Sequence, residues 1–473
     1  MTSETPIDLT AFVKTYDVRG LVGSQLTPEV VEAFGAAFAD EMRSDSGRIV
    51  VGHDMRDSSP SFADAFARGA TARGTDVVLL GLCSTDETYF ASGSLGLPAA
   101  MFTASHNPAT YNGIKFSRAG AQGISLDTGL SSIRDRASAY LASSIEPVDA
   151  PGSVTPYDAL VDYANYLRSL VDLSAIRPIK IVVDAANGMG GLTVPAVLGT
   201  AAGLAGLPIE IVDLYFELDG TFPNHEANPL EPANLVDLQK AVVEHGADLG
   251  LAFDGDADRC FVVDENGDAV TPSAVAAIVA VREIARVRAL QPTGDIAVIH
   301  NLITSRAVPE AIVAAGATPV RTRVGHSLIK DEMKATGAIF GGEHSAHYYF
   351  RDFWGADNGM LAAMHVLAEY GHATAPLSEL TNHYTPYTAS GEINSTVTDV
   401  PAAYDRIVKA YTGVGEFDEL DGLTVSGSFD DGEFWWFNVR PSNTEPLLRL
   451  NAEAATPAGM ERVRDAVLAL IRA

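Results

Sequence analysis

The chain has 473 residues, 47% of them hydrophobic and 20% charged, which is ordinary for a globular enzyme. Its length exceeds that of a single hydrophobic core and predicts three or four domains. The formal net charge of −29 disfavours nucleic acid and anionic membranes as partners. An anionic substrate would need a local cluster of cations to overcome this field.

Cysteine usage and the first residues predict a cytoplasmic protein. Cys83 and Cys260 form no CxxC pair, which fits a reduced compartment. The opening stretch MTSETPIDLT has neither the basic nor the apolar region of a signal peptide. We also find no apolar run long enough to span a membrane, so we expect no membrane-spanning helix.

From the N-terminus, helical and strand patterns alternate. The predicted elements of the first unit are helix Thr27–Met42, strand Arg48–Gly52, helix Pro60–Arg73 and strand Thr75–Leu82. This alternation predicts parallel sheet with crossover helices. Arg56 and Ser58, between the first strand and the second helix, are interpreted as turn residues.

The same alternation recurs twice and then changes. The second unit has predicted strands Pro178–Asp184, Pro208–Asp213 and Ala247–Phe253, with helix Leu235–Glu244. The third has helix Ser273–Arg288, strand Asp295–His300, helix Ser305–Ala315 and strand Thr318–Arg323. The end has predicted strands Leu423–Phe429 and Phe434–Arg440 and helix Pro457–Arg472, which favour a smaller α+β domain. We place the domains at 1–150, 151–268, 269–375 and 376–473.

The stretch MFTASHNPATYNGIKF, from Met101 to Phe116, combines a serine, a histidine and a lysine. A predicted strand over Leu97–Phe102 precedes it, and Asn107-Pro108 and Asn112-Gly113 are turn signals. Ser105 is therefore expected on a loop just past a strand end, where α/β proteins keep their chemistry.

Two interpretations of this loop remain open. Ser105 beside His106 could be a nucleophile, or both could belong to a turn that satisfies local backbone groups. Lys115 could be a functional cation or an exposed hairpin lysine.

Three carboxylates alternate with small residues in DGDADR, after the strand that ends at Phe253. In a straight strand the outer two would be about 13 Å apart, too far to share an ion, but a curled loop would let all three converge. Oxygen ligands of this kind suit Mg²⁺. The predicted ligands are Asp254, Asp256 and Asp258, and an EF-hand loop or a solvated acidic turn are the alternatives.

Two later loops carry polar groups suited to a sugar phosphate. GGEHSAH follows a predicted strand over Ala338–Phe340, and in an extended loop Glu343 and Ser345 would point the same way, towards neighbouring sugar hydroxyls. RPSNTEP offers a guanidinium, two hydroxyls and an amide as a phosphate cradle. An exposed polar loop and a capped turn are the respective alternatives, and a structural role is the alternative for His326.

Taken together, these stretches resemble the α-D-phosphohexomutase superfamily over essentially the whole chain. TASHNP, DGDADR, GEHSAH and RPSNTEP occur in the family's order and spacing. GE-x-S-x-H and Asn443 resemble the phosphomannomutase/phosphoglucomutase branch. The resemblance implies four domains around a central cleft: three related α/β domains with mixed sheets, plus a smaller C-terminal α+β domain. The four would carry, in chain order, the phosphoserine, metal, sugar and phosphate loops.

The resemblance also implies a role for each loop. Ser105 would carry a phosphoryl group and, with Asp254, Asp256 and Asp258, bind Mg²⁺. Glu343 and Ser345 would hold sugar hydroxyls. The distal phosphate would be held by Arg440, Ser442, Asn443 and Thr444. The positions that match the rest of the family's active site are Tyr16, Arg19, His106, Lys115, Arg259, Arg323, His326 and His347.

The implied activity is the interconversion of hexose 6-phosphate and hexose 1-phosphate, with mannose, glucose or both as the sugar. A hexose 1,6-bisphosphate would form, turn over in the cleft and act as activator. Phosphoglucosamine mutase, a metal-dependent sugar-phosphate phosphatase and a silent phosphosugar-binding protein are the alternatives. Lys14, Arg323 and Ala346 depart from the residues common in the family, and Ala346 bears on hexose preference. The general acid or base, and the choice between monomer and homodimer, stay open.

Overall fold

The computed structural model describes residues 8–441 and 447–473, and of residues 326–327 it describes the backbone alone. Within these ranges the strands form four sheets that follow one another along the chain. The first three sheets mix parallel and antiparallel pairs, whereas the pairs of the last are antiparallel. This confirms the α/β class with a C-terminal α+β domain.

The first sheet contains the strand that precedes Ser105. Its elements and helices are β1 (Asp17–Leu21), α1 (Pro28–Glu41), β2 (Arg48–His53), α2 (Ser59–Ala72), β3 (Asp76–Leu82), α3 (Thr85–Leu95), β4 (Ala99–Phe102), β5 (Tyr111–Arg118), β6 (Gln122–Gly123), α4 (Leu130–Ser143) and β7 (Val154–Pro156). The strand order is β1-β5-β4-β2-β3-β7, with β6 beside β5. β7 lies just beyond residue 150, where we placed the end of the first domain.

Asn112-Gly113 forms no turn, contrary to the sequence prediction. Both residues lie inside β5, which pairs on one side with β1 and on the other with β4. A Cβ atom on Gly113 would lie 2.3 Å from the carbonyl oxygen of Val18. The glycine therefore serves the close approach of neighbouring strands and not a hairpin.

The second sheet contains the strand that precedes the aspartate loop. Its elements and helices are α5 (Leu160–Leu170), β8 (Ile179–Asp184), α6 (Gly190–Val197), β9 (Ile209–Leu214), α7 (Val236–His245), β10 (Leu249–Phe253), β11 (Cys260–Val263) and β12 (Ala269–Val270). The order is β12-β11-β10-β8-β9. All residues of β10 are buried, as expected for a strand covered on both faces.

The third sheet contains the predicted sugar loop. Its elements and helices are α8 (Pro272–Leu290), β13 (Ala297–Asn301), α9 (Ala307–Ala314), β14 (Thr318–Thr322), α10 (His326–Thr336), β15 (Phe340–Gly342), β16 (Tyr348–Phe350), β17 (Ala356–Asp357), α11 (Gly359–His372) and α12 (Leu377–Asn382). The order is β14-β13-β15-β16-β17. Gly341 and Gly342 lie in β15, so the loop begins later than predicted.

The last sheet is built from β18 (Thr388–Thr396), β19 (Gly415–Asp418), β20 (Leu423–Ser428), β21 (Phe434–Pro441) and β22 (Leu447–Ala454), in the order β18-β22-β21-β20-β19. It is accompanied by α13 (Val400–Tyr411) and α14 (Pro457–Arg472). Among the described residues, no helix is both long and apolar enough to cross a bilayer.

The hydrophobic cores divide the chain unequally. One cluster runs through the second and third sheets, joining residues such as Val183 and Phe340. The first sheet has a core around Phe38 and Phe102, and the last has one around Phe437. The second and third sheets therefore share a core, whereas the last sheet packs around its own.

Candidate active site

Ser105 lies in the loop between β4 and β5, and its hydroxyl faces the aspartate loop. Its Oγ donates a hydrogen bond to Oδ2 of Asp254 at 2.9 Å, and its N–H donates to Oγ1 of Thr103 at 2.9 Å. Ser105 has a φ of 50°, in the left-handed region that L residues seldom occupy. Strained backbone of this kind clusters at functional sites.

Arg56 holds the Ser105 loop from behind, which the interpretation of this residue as part of a turn missed. Its guanidinium donates to the carbonyl oxygens of Ser105 (2.9 Å), Asn107 (2.6 Å), Pro108 (2.9 Å) and Tyr111 (3.0 Å). Arg56 is 2% exposed and lies 3.3 Å from Asp54. The sequence shows only an arginine between a predicted strand and a predicted helix. Its carbonyl partners are distant along the chain and cannot be read from sequence.

The aspartate loop curls as its small residues predicted. Ala257 has a φ of 62°, and Asp254, Asp256 and Asp258 are all fully buried. A Cβ atom on Gly255 would lie 2.4 Å from the carbonyl oxygen of Ser105, so glycine is required for the two loops to meet. The burial contradicts a solvated acidic turn, and the flanking strands β10 and β11 contradict an EF-hand.

The three aspartates fit a divalent cation. Each offers a carboxylate oxygen, and these ligand atoms lie within 4.8 Å of one another. Among the described residues, Oδ1 of Asp256 and Oδ1 of Asp258 are buried without a hydrogen-bond partner. Buried carboxylate oxygens require a partner, and a hard cation such as Mg²⁺ would supply it.

Two cations neutralise the remaining oxygens of the aspartates. Lys115 Nζ lies 2.7 Å from Oδ2 of Asp256 and 2.6 Å from Oδ2 of Asp258. Arg259 donates to Asp254 from Nε at 3.0 Å and from Nη2 at 2.8 Å. Lys115 is therefore a bridging cation in β5 and not an exposed hairpin lysine.

Burial and charge act in opposite directions on the pKa values of this cluster. Burial alone would lower the pKa of Lys115, but the Asp256 and Asp258 carboxylates outweigh it and raise that pKa well above its ordinary value. Burial would raise the pKa of Asp256, yet Lys115 holds it well below its usual range. For Asp258, burial followed by the charge of Asp256 raises the pKa well above its usual range. The cluster as a whole thus retains affinity for positive charge.

His106 and Arg19 lie beside the serine. His106 Nδ1 is 3.3 Å from the Ser105 hydroxyl and accepts a short hydrogen bond from Arg259. Burial, reinforced by the Arg259 charge, lowers the pKa of His106 well below its ordinary value, so its ring is neutral. Arg19 donates to Oδ1 of Asn107 at 2.6 Å and pairs with Asp17 at 2.6 Å.

These residues surround a cavity of about 130 Å³ between the first, second and third sheets. Its lining includes the predicted residues Tyr16, Arg19, Ser105, His106, Lys115, Asp258, Arg259 and His347. It also includes residues that the sequence reasoning missed, namely Tyr89, Lys330 and Asp357. Lys330 Nζ lies 2.9 Å from Asp357 and 4.2 Å from the ring centre of Tyr89. Only proximity in space distinguishes them from ordinary core and surface residues.

The loop after β15 is a tight turn and not the extended loop predicted from its sequence. Glu343 N donates to His347 O at 3.0 Å, and Ala346 has a φ of 65°, in the left-handed region that favours glycine. Ser345 Oγ lies 3.0 Å from Nδ1 of His347, while Glu343 accepts from Tyr349 at 2.7 Å. Glu343 Oε2 lies 3.8 Å from the same Nδ1 atom, so the Glu343 and Ser345 side chains both reach His347 although the loop is not extended.

His347 links this turn to the aspartates. Its ring lies 3.8 Å from Oε2 of Glu343 and 3.9 Å from Oδ1 of Asp258. Burial raises the pKa of Glu343, although its hydrogen bond from Tyr349 opposes this. The turn after β15 and the aspartate loop thus meet at one imidazole.

Arg323 and His326 lie at the N-terminus of α10. Arg323 is exposed after β14, and His326 is the first residue of α10, with a side chain outside the described part of the structure. Between them, Gly325 N donates to Oε1 of Glu343 at 3.4 Å and Val324 N to Asp421 at 3.1 Å. This segment therefore contacts both the turn after β15 and the loop between β19 and β20.

Arg440 lies apart from the serine and aspartates. It is the last residue but one of β21 and pairs with Oε2 of Glu392 at 2.5 Å, and it is not among the described residues that line the cavity. Ser442, Asn443 and Thr444, the other predicted phosphate ligands, lie outside the described residues. Ser105, the aspartates, Lys115, Arg259 and His347 are thus assembled in one place, and Arg440 is not.

The sequence matches four consecutive family domains in the order of the four sheets. They are described as phosphoglucomutase/phosphomannomutase alpha/beta/alpha domain I over residues 11–140, domain II over 161–267, domain III over 271–387 and the C-terminal domain over 392–470. The chain belongs to the phosphoglucomutase/phosphomannomutase family. It is accordingly a phosphotransferase of the mutase class.

Relatives of similar length carry the names of hexose-phosphate mutases. The chain is 41% identical over 456 residues to a protein of Xanthomonas campestris named phosphohexose mutases, covering 95% of this chain and 96% of that protein. It is 36% identical over 465 residues to a phosphomannomutase of Escherichia coli, covering 97% and 98% respectively. A solved phosphoglucomutase/phosphomannomutase family protein of Burkholderia thailandensis superposes with a TM-score of 0.86 at 29% identity, covering 98% of both chains.

Proposed function

We propose that this phosphohexomutase moves a phosphoryl group between the 1- and 6-positions of a hexose phosphate by way of Ser105. Phosphorylated Ser105 would give its phosphoryl group to the free hydroxyl of a hexose monophosphate. The resulting hexose 1,6-bisphosphate would turn over in the cleft and return the other phosphoryl group to Ser105 Oγ. In each half-reaction one P–O bond breaks and one forms, so no phosphate is lost to water.

The observation that carries this proposal is the contact between Ser105 and the aspartate loop. The Ser105 hydroxyl lies 2.9 Å from Asp254, and Arg259 Nη2 lies 3.2 Å from the same Oγ. A phosphoryl group on Oγ would therefore meet a guanidinium and a carboxylate site for a cation. Positioning and charge stabilisation are what phosphoryl transfer requires from an enzyme.

Asp254, Asp256 and Asp258 would hold Mg²⁺, which neutralises charge on transferring phosphoryl oxygens when bound. The chain's own residues supply the other requirements. Arg19, Lys115, Arg259 and Lys330 line the cavity and offset the carboxylates of Asp17, Asp258 and Asp357 beside them. In a chain whose net charge is −29, these side chains and the bound cation would together supply the local positive charge that an anionic substrate needs.

The proton of the attacking sugar hydroxyl must pass to a nearby base. Lys115, His106 and His347 line the cavity and are the candidates among the described side chains. Because Nδ1 of the neutral His106 ring accepts a hydrogen bond from Arg259, the ring proton lies on Nε2, and His106 could take the sugar's proton only at an Nδ1 released by Arg259. We leave the three unranked, and the pH–rate profiles of single variants would separate them.

The sugar would be mannose, glucose or both. The relatives named phosphomannomutase support mannose phosphate, and the family description includes both sugars. The turn with Glu343 and Ser345 would hold the sugar hydroxyls, and Arg440, Ser442, Asn443 and Thr444 the distal phosphate. The solved N-acetylphosphoglucosamine mutases are 14% identical to this chain. At this identity they show the shared fold alone and give no support for an amino sugar as the substrate of this chain.

Ser105→Ala tests the proposed nucleophile. We expect it to lose mutase activity by at least about a thousandfold, because the phosphoryl acceptor is gone. Ser61→Ala, which removes an exposed hydroxyl of α2, is the matched control and should retain wild-type activity. Turnover near the wild-type rate in Ser105→Ala would reject this assignment.

Substrate and intermediate are tested together on the wild-type enzyme. Mannose 1-phosphate and glucose 1-phosphate are assayed side by side, with and without added hexose 1,6-bisphosphate, while inorganic phosphate is monitored. We expect conversion to the 6-phosphates, stimulation by the bisphosphate and an intact mass one phosphoryl group heavier in the active form. Release of inorganic phosphate in step with turnover would indicate a phosphatase instead.

A further inference from the structure

Thr85, the first residue of α3, touches the aspartate loop although it belongs to the first sheet's segment of the chain. Its Oγ1 donates a hydrogen bond to Oδ2 of Asp256 at 2.6 Å. Its N–H donates to the carbonyl oxygen of the same residue at 3.1 Å. Both residues are fully buried, so the two bonds are shielded from water.

These contacts assign the two oxygens of Asp256 to different tasks. Oδ2 accepts from Thr85 and lies 2.7 Å from Lys115 Nζ. Oδ1 is buried and has no hydrogen-bond partner among the described residues. Rotation of the carboxylate would break both bonds to Oδ2, so the present orientation leaves Oδ1 directed to a further ligand.

The start of α3 is itself firmly held. The Ser84 hydroxyl caps the helix by accepting the N–H of Glu87 at 3.1 Å. Asp86, the residue after Thr85, accepts a hydrogen bond from the hydroxyl of Tyr163 in α5 at 2.7 Å. Thr85 is therefore fixed between two anchored neighbours, and its hydroxyl has a defined direction.

We infer that Thr85 is a positioning residue of the metal site, whose hydroxyl holds Asp256 with Oδ1 presented to a divalent cation. This inference rests on the proposed function in assuming that the aspartates bind such a cation. Hydrogen-bond partners of metal ligands fix ligand orientation, and their loss typically weakens metal affinity about 10- to 100-fold. Lys115 alone cannot substitute, because it is shared between Asp256 and Asp258.

Three variants separate the hydroxyl from the rest of the side chain. Thr85→Val keeps the shape and removes the donor, whereas Thr85→Ser keeps the donor. Thr88→Val is the matched control, since Thr88 lies one turn later in α3 and is equally buried. The Thr88 hydroxyl contacts Ser84 O and the sulfur atoms of Cys83 and Met101, and none of these partners belongs to the aspartate loop.

The primary measurement is Mn²⁺ binding to the purified full-length protein, followed by the electron paramagnetic resonance signal of free Mn²⁺. Mn²⁺ favours the same oxygen ligands as Mg²⁺. We expect Thr85→Val to raise the Mn²⁺ dissociation constant about tenfold or more, and Thr85→Ser and Thr88→Val to change it less than about twofold. In activity assays the Mg²⁺ concentration for half-maximal rate should rise for Thr85→Val, while the KM for the hexose phosphate stays within about twofold.

Unchanged Mn²⁺ affinity in folded Thr85→Val would overturn the inference, as would wild-type protein that binds no Mn²⁺. Equal weakening in Thr88→Val, or no rescue in Thr85→Ser, would overturn it as well by indicating a merely structural role. If Thr85→Val does not fold, Thr85→Ala removes the same donor and is judged by the same criteria.

The binding measurement needs no turnover, so it separates this inference from the proposed function. Wild-type protein without mutase activity, but with the expected Mn²⁺ pattern, would reject the proposed function and leave Thr85 as a positioning residue. An active mutase whose Mn²⁺ affinity ignores Thr85 would do the reverse.

Discussion

The centre around Ser105 and the region around Arg440 differ in how far they are assembled. In the centre, Ser105, Asp254 and Arg259 are already in mutual contact and buried. Arg440, by contrast, is held by Glu392 on its own sheet and lies outside the cavity. The groups proposed for chemistry are thus preorganised, whereas a group proposed for substrate binding is not yet in place.

The packing of the last sheet explains this difference. The last sheet and its helices pack around a core of their own. Their contacts with the segment of the third sheet include partly exposed ion pairs, such as Arg321 with Asp418 at 2.8 Å. Exposed ion pairs contribute little stability and are easily exchanged. We therefore expect the last domain to move towards the cavity when substrate binds, as closing domains do in other enzymes.

Removal of the metal should have the largest effect on activity, because it takes positive charge away from the preorganised centre. We expect EDTA to lower mutase activity about a thousandfold, since transferring phosphoryl oxygens would lose their main charge stabilisation. Added Mg²⁺ should restore the rate, and EDTA saturated beforehand with Mg²⁺ should leave it unchanged. Activity indifferent to chelation would reject the metal site.

Arg56→Lys should break the support of the serine loop. Lysine cannot reach the four carbonyl oxygens that the guanidinium serves, so we expect a loss of about 4 kcal/mol in unfolding free energy. Urea denaturation measures this change, and Arg48→Lys at the exposed start of β2 is the control. Equal stability of the two variants would mean that the loop holds itself in place.

Glu87→Gln tests a buried carboxylate that, unlike the aspartates of the centre, forms no ion pair with a cation of the described part of the chain. Burial, followed by the charge of Asp86, raises the pKa of Glu87 to about 8, and its Oε2 has no hydrogen-bond partner among the described residues. The unfolded chain ionises near its ordinary value of 4.5, so the folded state binds the extra proton between these pH values. Stability contributed by this proton is present at low pH and lost as pH rises towards 8.

We therefore expect Glu87→Gln to gain stability relative to the wild type as pH rises from 5 to 8, by about 2 kcal/mol. Asp86, whose pKa burial raises to about 7, shares the titration and keeps the gain below the single-group limit. Denaturation midpoints at both pH values measure the effect, with the exposed Glu461→Gln as control. A difference independent of pH would show that Glu87 does not titrate in this window.

Arg440→Lys should have the smallest effect, because it leaves the centre intact. We expect the KM for the hexose phosphate to rise about tenfold and kcat to change less than about threefold, as for a lost binding contact. Mn²⁺ affinity should stay at the wild-type value, and Arg464→Lys on the surface of α14 is the control. A fall in kcat with unchanged KM would place Arg440 in the chemistry instead.

The sequence by itself determined most of the elements and the four loops. Continuous apolar runs predicted strands such as β2 and β10, because buried parallel strands need apolar side chains on both faces. Small residues between Asp254 and Asp258 predicted the curled loop, since they permit backbone turns that larger residues resist. Predictions failed where a local signal competed with pairing, as at Asn112-Gly113 within β5.

Only the tertiary structure decided which residues meet. The contacts of Arg56 with the serine loop and of Thr85 with Asp256 span 49 and 171 residues of sequence, respectively, and no local pattern encodes them. Burial and neighbouring charges decided the charge states, because a carboxylate such as Asp256 or Glu87 has an ordinary pKa until its surroundings are fixed. Short stretches of sequence determine which chemical groups a loop offers. The contacts of those groups and their pKa values arise only when distant stretches pack together and exclude water.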